Sequence, residues 1–132
     1  MKTTKLMPKV ITEILTAHGK SIDDADLHLR LEMPSYMPLV IERIDVNRIS
    51  VAHYYEQNGD LIADPDMTFY IYNGFWIVSE IQEPWGYRMC SEQTFTGWKY
   101  NPTALKDVTA FANQWARNLR EQGWATRATK GE

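Results

Sequence analysis

The run Met67-Thr-Phe-Tyr-Ile-Tyr72, then Asn73-Gly74, then Phe75-Trp-Ile-Val-Ser-Glu-Ile-Gln-Glu83, decides the fold. Two apolar, aromatic-rich segments around Asn-Gly form the strongest short-range hairpin signal, because a tight turn needs positive φ and these two residues accept it. A two-residue turn sets Tyr72 opposite Phe75, Ile71 opposite Trp76 and Phe69 opposite Val78. Apolar side chains then lie on both faces, which predicts a central hairpin covered on one side and partly on the other.

Upstream, Leu27 to Met33 alternates strictly. Leu27, Leu29, Leu31 and Met33 share one face, while His28, Arg30 and Glu32 share the other, as in a half-buried strand. Pro34 and Pro38 bracket a turn, and residues 39–44 and 48–56 read as a hairpin around Asp45-Val-Asn47. Residues 57–65 read as a loop, with Asn58-Gly59 as a turn and Asp64-Pro65 as a step that interrupts a regular ladder. Downstream, Pro84-Trp85-Gly86 makes a turn and 87–92 reads as the last strand.

Helices close both ends of this meander. Val10, Ile11, Ile14, Leu15 and His18 fall on one stripe ahead of Gly19, and Pro8 places the helix start near Thr4 to Met7. Asn101 followed by Pro102 is an N-terminal signal. Leu105, Val108, Phe111, Ala112, Trp115 and Leu119 form the apolar stripe, and Gly123 ends it. The expectation is one α+β domain over 1–132: an antiparallel β-meander of five or six strands with an N-terminal and a C-terminal helix packed on one face, and 125–132 as a frayed tail.

At 132 residues, 44% apolar and 23% charged, the chain is long enough to bury a core without staples. A single cysteine, Cys90, excludes an internal disulfide and fits a reducing cytoplasm. Nothing resembles a signal peptide or a membrane span. The net charge of −3 gives no basic footprint, so no nucleic-acid partner is expected.

The densest group of chemistry-bearing residues is His53 to Asp66. Asp60, Asp64 and Asp66 are candidate ligands for a hard cation such as Mg²⁺ or Ca²⁺, although the spacing matches no EF-hand. His53, Asp60 and Asp64 are candidate acid–base residues, with His53 held by Asp60 or Asp64 as a proton relay. The plainer reading makes the aspartates turn formers. It also makes His53 a hydrogen-bonded, partly buried side chain, since its strand parity groups it with Ile49 and Val51. His28, Arg30 and Tyr54 are candidate binding residues on a polar sheet face, or else a solvated one. Trp85 and Trp98 lie in turns, where exposed aromatics act as anchors for a protein partner. No phosphate loop, nucleophile elbow, zinc spacing or HExxH motif is present.

Pro38-Leu-Val-Ile-Glu42, Ile49-Ser-Val-Ala-His-Tyr-Tyr-Glu-Gln-Asn-Gly-Asp60 and Asp64-Pro-Asp-Met-Thr-Phe69 together resemble a family of small bacterial proteins of unknown function that is frequent on mobile genetic elements and phages. Phe111 to Gly123 is similar to that family's final helix. The resemblance covers residues near 27–72 and 101–124, while 75–100 carries no motif of it. It implies one fold and a bacterial, cytoplasmic setting. It carries over no catalytic residue and implies no reaction. The sequence therefore points first to a cytoplasmic accessory or binding protein with a protein partner and no cofactor. A metal-dependent or acid–base enzyme using the 53–66 segment is the alternative.

Overall fold

The computed structural model describes residues 1–131. In chain order the elements are α1 (Leu6–Ala17), β1 (His28–Glu32), β2 (Leu39–Asp45), β3 (Arg48–Gln57), β4 (Asp60–Tyr72), β5 (Phe75–Glu83), β6 (Gly86–Met89), β7 (Ser91–Thr94), β8 (Gly97–Tyr100), α2 (Pro102–Gln122) and β9 (Thr129–Lys130). The fold is α+β. Strands β1 to β6 form the expected antiparallel meander, β9 adds a seventh strand beside β1, and β7–β8 is a separate hairpin.

One rung shows why the sheet holds. Leu29, Ile41, Val51, Met67 and Ile81 are successive cross-strand partners over β1 to β5, and all are buried. They join the buried stripe of α1 (Met7, Val10, Ile11, Ile14, Leu15) and that of α2 in a single core. Removing apolar area on this scale from water is the main favourable term in folding. The Asn101 side chain caps α2 by accepting from the Ala104 N–H at 3.0 Å, and Gly123 ends it at φ +91°. Arg120 ties α2 to α1 through two hydrogen bonds to Glu13, of 3.0 and 2.6 Å. The Asn73-Gly74 hairpin has the expected register, Tyr72 opposite Phe75 and Phe69 opposite Val78.

Three local expectations are corrected. Residues 57–65 are not a loop: β3 runs to Gln57, Asn58-Gly59 makes a two-residue turn, and β4 begins at Asp60. The ladder passes Pro65 because a bulge sets Asp64 and Pro65 opposite the single residue His53, between the pairs Ala52–Asp66 and Tyr54–Ala63. The missing proline N–H falls where the pairing is already interrupted. The strand expected over 87–92 breaks at Cys90 into β6 and β7. The tail is not frayed up to Gly131. Trp124 is fully buried, β9 pairs with Leu31 and Glu32 of β1, and the Gly131 N–H donates to the Arg30 carbonyl at 2.8 Å.

Candidate functional site

The His53–Asp66 segment is a stretch of ladder that distributes its polar groups to different environments. His53 is buried, in the rung of Leu31 and Leu39, with its ring centroid 5.5 Å from those of both Trp115 and Trp124. Its Nδ1 lies 3.2 Å from the Pro38 carbonyl, so that nitrogen carries the proton and donates. Burial pulls the imidazole below its usual range, and the Pro38 and Met37 backbone and the charge of Asp64 only partly counter this. The histidine is thus held neutral inside an aromatic pocket.

The aspartates separate along β4. Asp60 is exposed at the start of the strand opposite Gln57, Asp64 is half-buried at the bulge, and Asp66 pairs with Ala52 and Gln82 in the centre of the sheet. At about 3.3 Å per residue, Asp60 and Asp66 stand ~20 Å apart. Among the described residues no group of three or more His, Cys, Asp or Glu side chains could hold a metal ion. The proposed metal set Asp60, Asp64 and Asp66 and the proposed triad His53, Asp60 and Asp64 are therefore not brought together. The strand geometry itself keeps the like charges apart.

Asp66 has partners of another kind. On the face away from the helices it accepts hydrogen bonds from Ser50 Oγ at 2.7 Å and from the Tyr54 hydroxyl at 3.2 Å. Burial, with the charge of Asp66 beside it, keeps the Tyr54 hydroxyl protonated far above its ordinary range. Two strands along, Tyr87 donates to Glu80, and that bond pushes its pKa up to about 12. Around these pairs, Ser50, Ala52 and Thr68 form a floor of small side chains sunk between larger neighbours. Among the described residues, Asp66 and Glu80 take part in no salt bridge; hydroxyl groups hydrogen-bond to both, and the charge of Arg48 reaches Glu80 at longer range.

The five candidate binding residues spread across this open face. His28 and Arg30 sit on β1, 3.9 Å from Glu42 and 3.3 Å from Glu32 respectively, and Tyr54 lies on β3. Trp85 is in the β5–β6 turn, ~20 Å from β1 at about 4.8 Å per strand, and is 75% exposed. Trp98, on β8, is half-buried with its ring edge-on to Tyr70 and Tyr72 at 5.0 and 5.7 Å. That contact lays the β7–β8 hairpin over one corner of the face, where the Tyr70 hydroxyl accepts from the Gln93 N–H and Asn47 Nδ2 donates to Gln93 Oε1.

Sequence reasoning missed the companions of Trp85. Phe95, at the tip of β7–β8, is fully exposed, and Tyr72, Phe75, Tyr87 and Tyr100 are each about half exposed. The signal for Tyr87 was available: a two-residue Pro84-Trp85 turn sets Gln82 opposite Tyr87 and brings it beside Glu80. Phe95, between two threonines and ahead of Gly97, was legible as a turn aromatic. Cys90 is a buried free thiol whose pKa burial pushes up to about 11, so it is not a reactive nucleophile. A cavity of about 490 Å³ is lined by Asp23, Arg43 and Val46 among others. Its guanidinium is committed to the backbone carbonyls of Ile22, Asp24, Asp45 and Val46. It braces the loop before β1 and offers no reactive group.

Among the described residues no helix is long and apolar enough to cross a membrane. Comparison with curated proteins and comparison with solved structures find no match. Residues 9–125, most of the chain and all of the sheet described above except β9, match one family, so the protein belongs to the family described as Domain of unknown function (DUF6908).

Proposed function

We propose that this protein is a non-enzymatic binding protein that engages a protein partner through the aromatic side of its open sheet face. It would act in the bacterial cytoplasm as an accessory factor of a mobile element or phage. The observation that carries the reading is the concentration of exposed aromatics within 72–100: Tyr72, Phe75, Trp85, Tyr87, Phe95 and Tyr100. Exposed aromatics are the residue types that dominate interface energies, whereas folding alone favours hiding them. Beside them, Glu80 and Asp66 have hydroxyl partners and, among the described residues, no salt bridge. The complementary surface is an apolar patch with basic side chains at its rim. The buried, unpaired Cys90 is in keeping with a reducing compartment.

The test is capture from a bacterial lysate followed by measured binding of the isolated partner. Trp85→Ala with Phe95→Ala is expected to leave the fold intact and weaken binding at least about thirtyfold, the scale of a hot spot. Phe111→Ala, on an exposed stretch of α2, serves as the control. Failure to find a reproducible partner, or a partner that the double variant still holds, sinks the reading.

The alternative, a metal-dependent or acid–base site in 53–66, draws on a single interaction, the charge of Asp64 acting on His53. Calorimetric titration with Mg²⁺, Ca²⁺ and Mn²⁺ measures it. The spread of the aspartates along β4 leads to an expectation of no saturable heat at millimolar metal. Saturable binding lost in Asp64→Asn would restore the enzyme reading.

A further inference from the structure

The two edges of the seven-stranded sheet are finished differently. β9 flanks β1, whereas β6 is the other edge and, among the described residues, has no strand on its outer side. All four of its residues are exposed. The Cys90 N–H donates to the Ser79 carbonyl at 2.8 Å, so the chain faces β5 there, and Gly86 faces β5 opposite Glu83 across the tight turn. Residues of an antiparallel ladder alternate between facing the partner and facing away. Arg88 therefore turns its backbone groups to β5, and Tyr87 and Met89 turn theirs outward. Among the described residues no bond from a turn, loop or cap reaches these two outward N–H groups and two carbonyls. β6 is short, but it has neither proline nor lysine to guard an open edge. Its one charge, Arg88, sits opposite the buried Ile81 on the helix side, 3.8 Å from Asp107.

This end of the sheet is rich in carboxylates. Asp64, Asp66, Glu80 and Glu83 lie on β4 and β5, the two strands next to β6, and Glu92 follows on β7. Among the described residues none of the five is in a salt bridge. Hydroxyl groups hydrogen-bond to Asp66 and Glu80, while Arg48 and Arg88 act on Glu80 and Glu83 only at longer range. An isologous dimer would set one β6 against the other. It would bring both sets of carboxylates, and both Arg88 side chains, to one seam, where like charges repel. A strand of opposite charge fits this edge better than a second copy does.

We infer that, given a protein partner as proposed above, the β6 edge takes an extended segment of that partner with basic residues at alternate positions, added as a further strand through the backbone of Tyr87 and Met89. In strand addition the main-chain hydrogen bonds supply affinity, and the alternate side chains supply specificity. Side chains of the added strand beside Tyr87 and Met89 share the open face with Glu80 and Asp66. Glu80 pairs with Met89, so it stands two strands in from the added one, ~10 Å at about 4.8 Å per strand. A lysine or arginine stem laid over Met89 brings its charge to that carboxylate. The intervening side chains fall on the side of Arg88, where a basic residue is disfavoured and an apolar one fits. Trp85, in the adjoining turn, closes the end of the seat.

The probe is a short, end-blocked peptide of alternating lysine and valine, titrated into the full chain and followed by NMR. A peptide of alternating glutamate and valine runs beside it. Saturable shifts and slowed hydrogen exchange are expected at the Tyr87 and Met89 amides with the lysine peptide, and neither with the glutamate peptide. Met89→Pro removes one outward donor and leaves the bonds to β5, since proline is tolerated where its missing N–H faces out from an edge. It is expected to weaken binding about tenfold. Glu80→Gln keeps an acceptor for Tyr87 while removing the charge, and is expected to weaken binding several-fold. No saturable binding of the lysine peptide, equal affinity for the two peptides, or full affinity in both variants overturns the added strand. So does a concentration-dependent dimer in sedimentation that Met89→Pro dissolves, because the edge then serves a second copy. The broader reading fails separately. A partner captured from lysate that Trp85→Ala with Phe95→Ala releases, but Met89→Pro still holds, sinks the strand and leaves the aromatic surface standing.

Discussion

Residues 53–66 and 84–100 make opposite use of their composition. The first holds a histidine, three aspartates and a glutamate, the residue types from which active sites are built, and has no large exposed aromatic. The second has no reactive motif but leaves Trp85, Tyr87, Phe95 and Tyr100 in solvent. The difference lies in backbone form. A strand moves its side chains apart by about 3.3 Å per residue and alternates their faces, so carboxylates close in sequence end up in separate surroundings. Short turns and a small two-stranded hairpin have no layer to cover them, so large rings there remain exposed. Proximity in sequence was therefore a poor guide to a site in the first region.

The comparison is tested most severely by exchanging one tryptophan from each side. Trp124 is fully buried, and its ring packs against His53. Its carbonyl also lies 3.0 Å from His18 Nε2. Trp124→Ala is expected to cost about 3–5 kcal/mol of stability, through lost burial plus the cavity left behind. Trp85→Ala is expected to stay within about 0.5 kcal/mol. Urea unfolding of both variants provides the check. A destabilising Trp85→Ala would show that the exposed aromatic supports the fold after all and would remove it from the proposed binding surface.

Why some of this was legible and some not follows from the range of the determining contacts. The Asn73-Gly74 hairpin, its register, and the helix bounded by Asn101, Pro102 and Gly123 rest on rules acting within a few residues, and the structure has them. His53 was legible as a core-facing side chain from strand parity, but its neighbours Trp115 and Trp124 come from α2 and the turn after it and leave no mark near His53. The closing strand β9 meets β1 across a separation of 97 residues, which no local pattern reports. Residues 57–65 were misread for a different reason. Asp64-Pro65 does break the ladder, but a one-residue bulge absorbs the break and lets both strands continue.

A middle-sized effect separates the aspartates from one another. Asp66 holds Ser50 and Tyr54, and Ser50 is almost completely buried, so Asp66→Ala leaves a buried hydroxyl without its acceptor. The expected loss is about 1–3 kcal/mol. Asp60→Ala, on an exposed strand end, is expected to fall within about 0.5 kcal/mol. Equal losses would mean that the three carboxylates act as a unit, as a shared cation would require, and would revive the reading of 53–66 as one site.

The smallest test concerns pH and His53. Its folded pKa lies below the unfolded value near 6.5, because burial disfavours the imidazolium. Between the folded and unfolded values the unfolded chain binds more protons, so stability rises with pH in that window. The contribution is whole above about pH 6.5 and is lost as the pH falls through the unfolded and then the folded value. Glu83 runs the other way. Burial first, and then the charge of Asp64, raise its pKa, so its contribution grows as the pH falls. The bare slope of the urea midpoint against pH therefore mixes opposing signs, and the difference between two chains is the informative quantity. His53→Gln can keep a donor for the Pro38 carbonyl while removing the titration, and it leaves Glu83, His18 and His28 common to both chains. The acid loss of midpoint is expected to be shallower in the variant. Parallel profiles would mean that the imidazole takes up its proton without leaving the aromatic pocket, which would return His53 to consideration as a proton carrier.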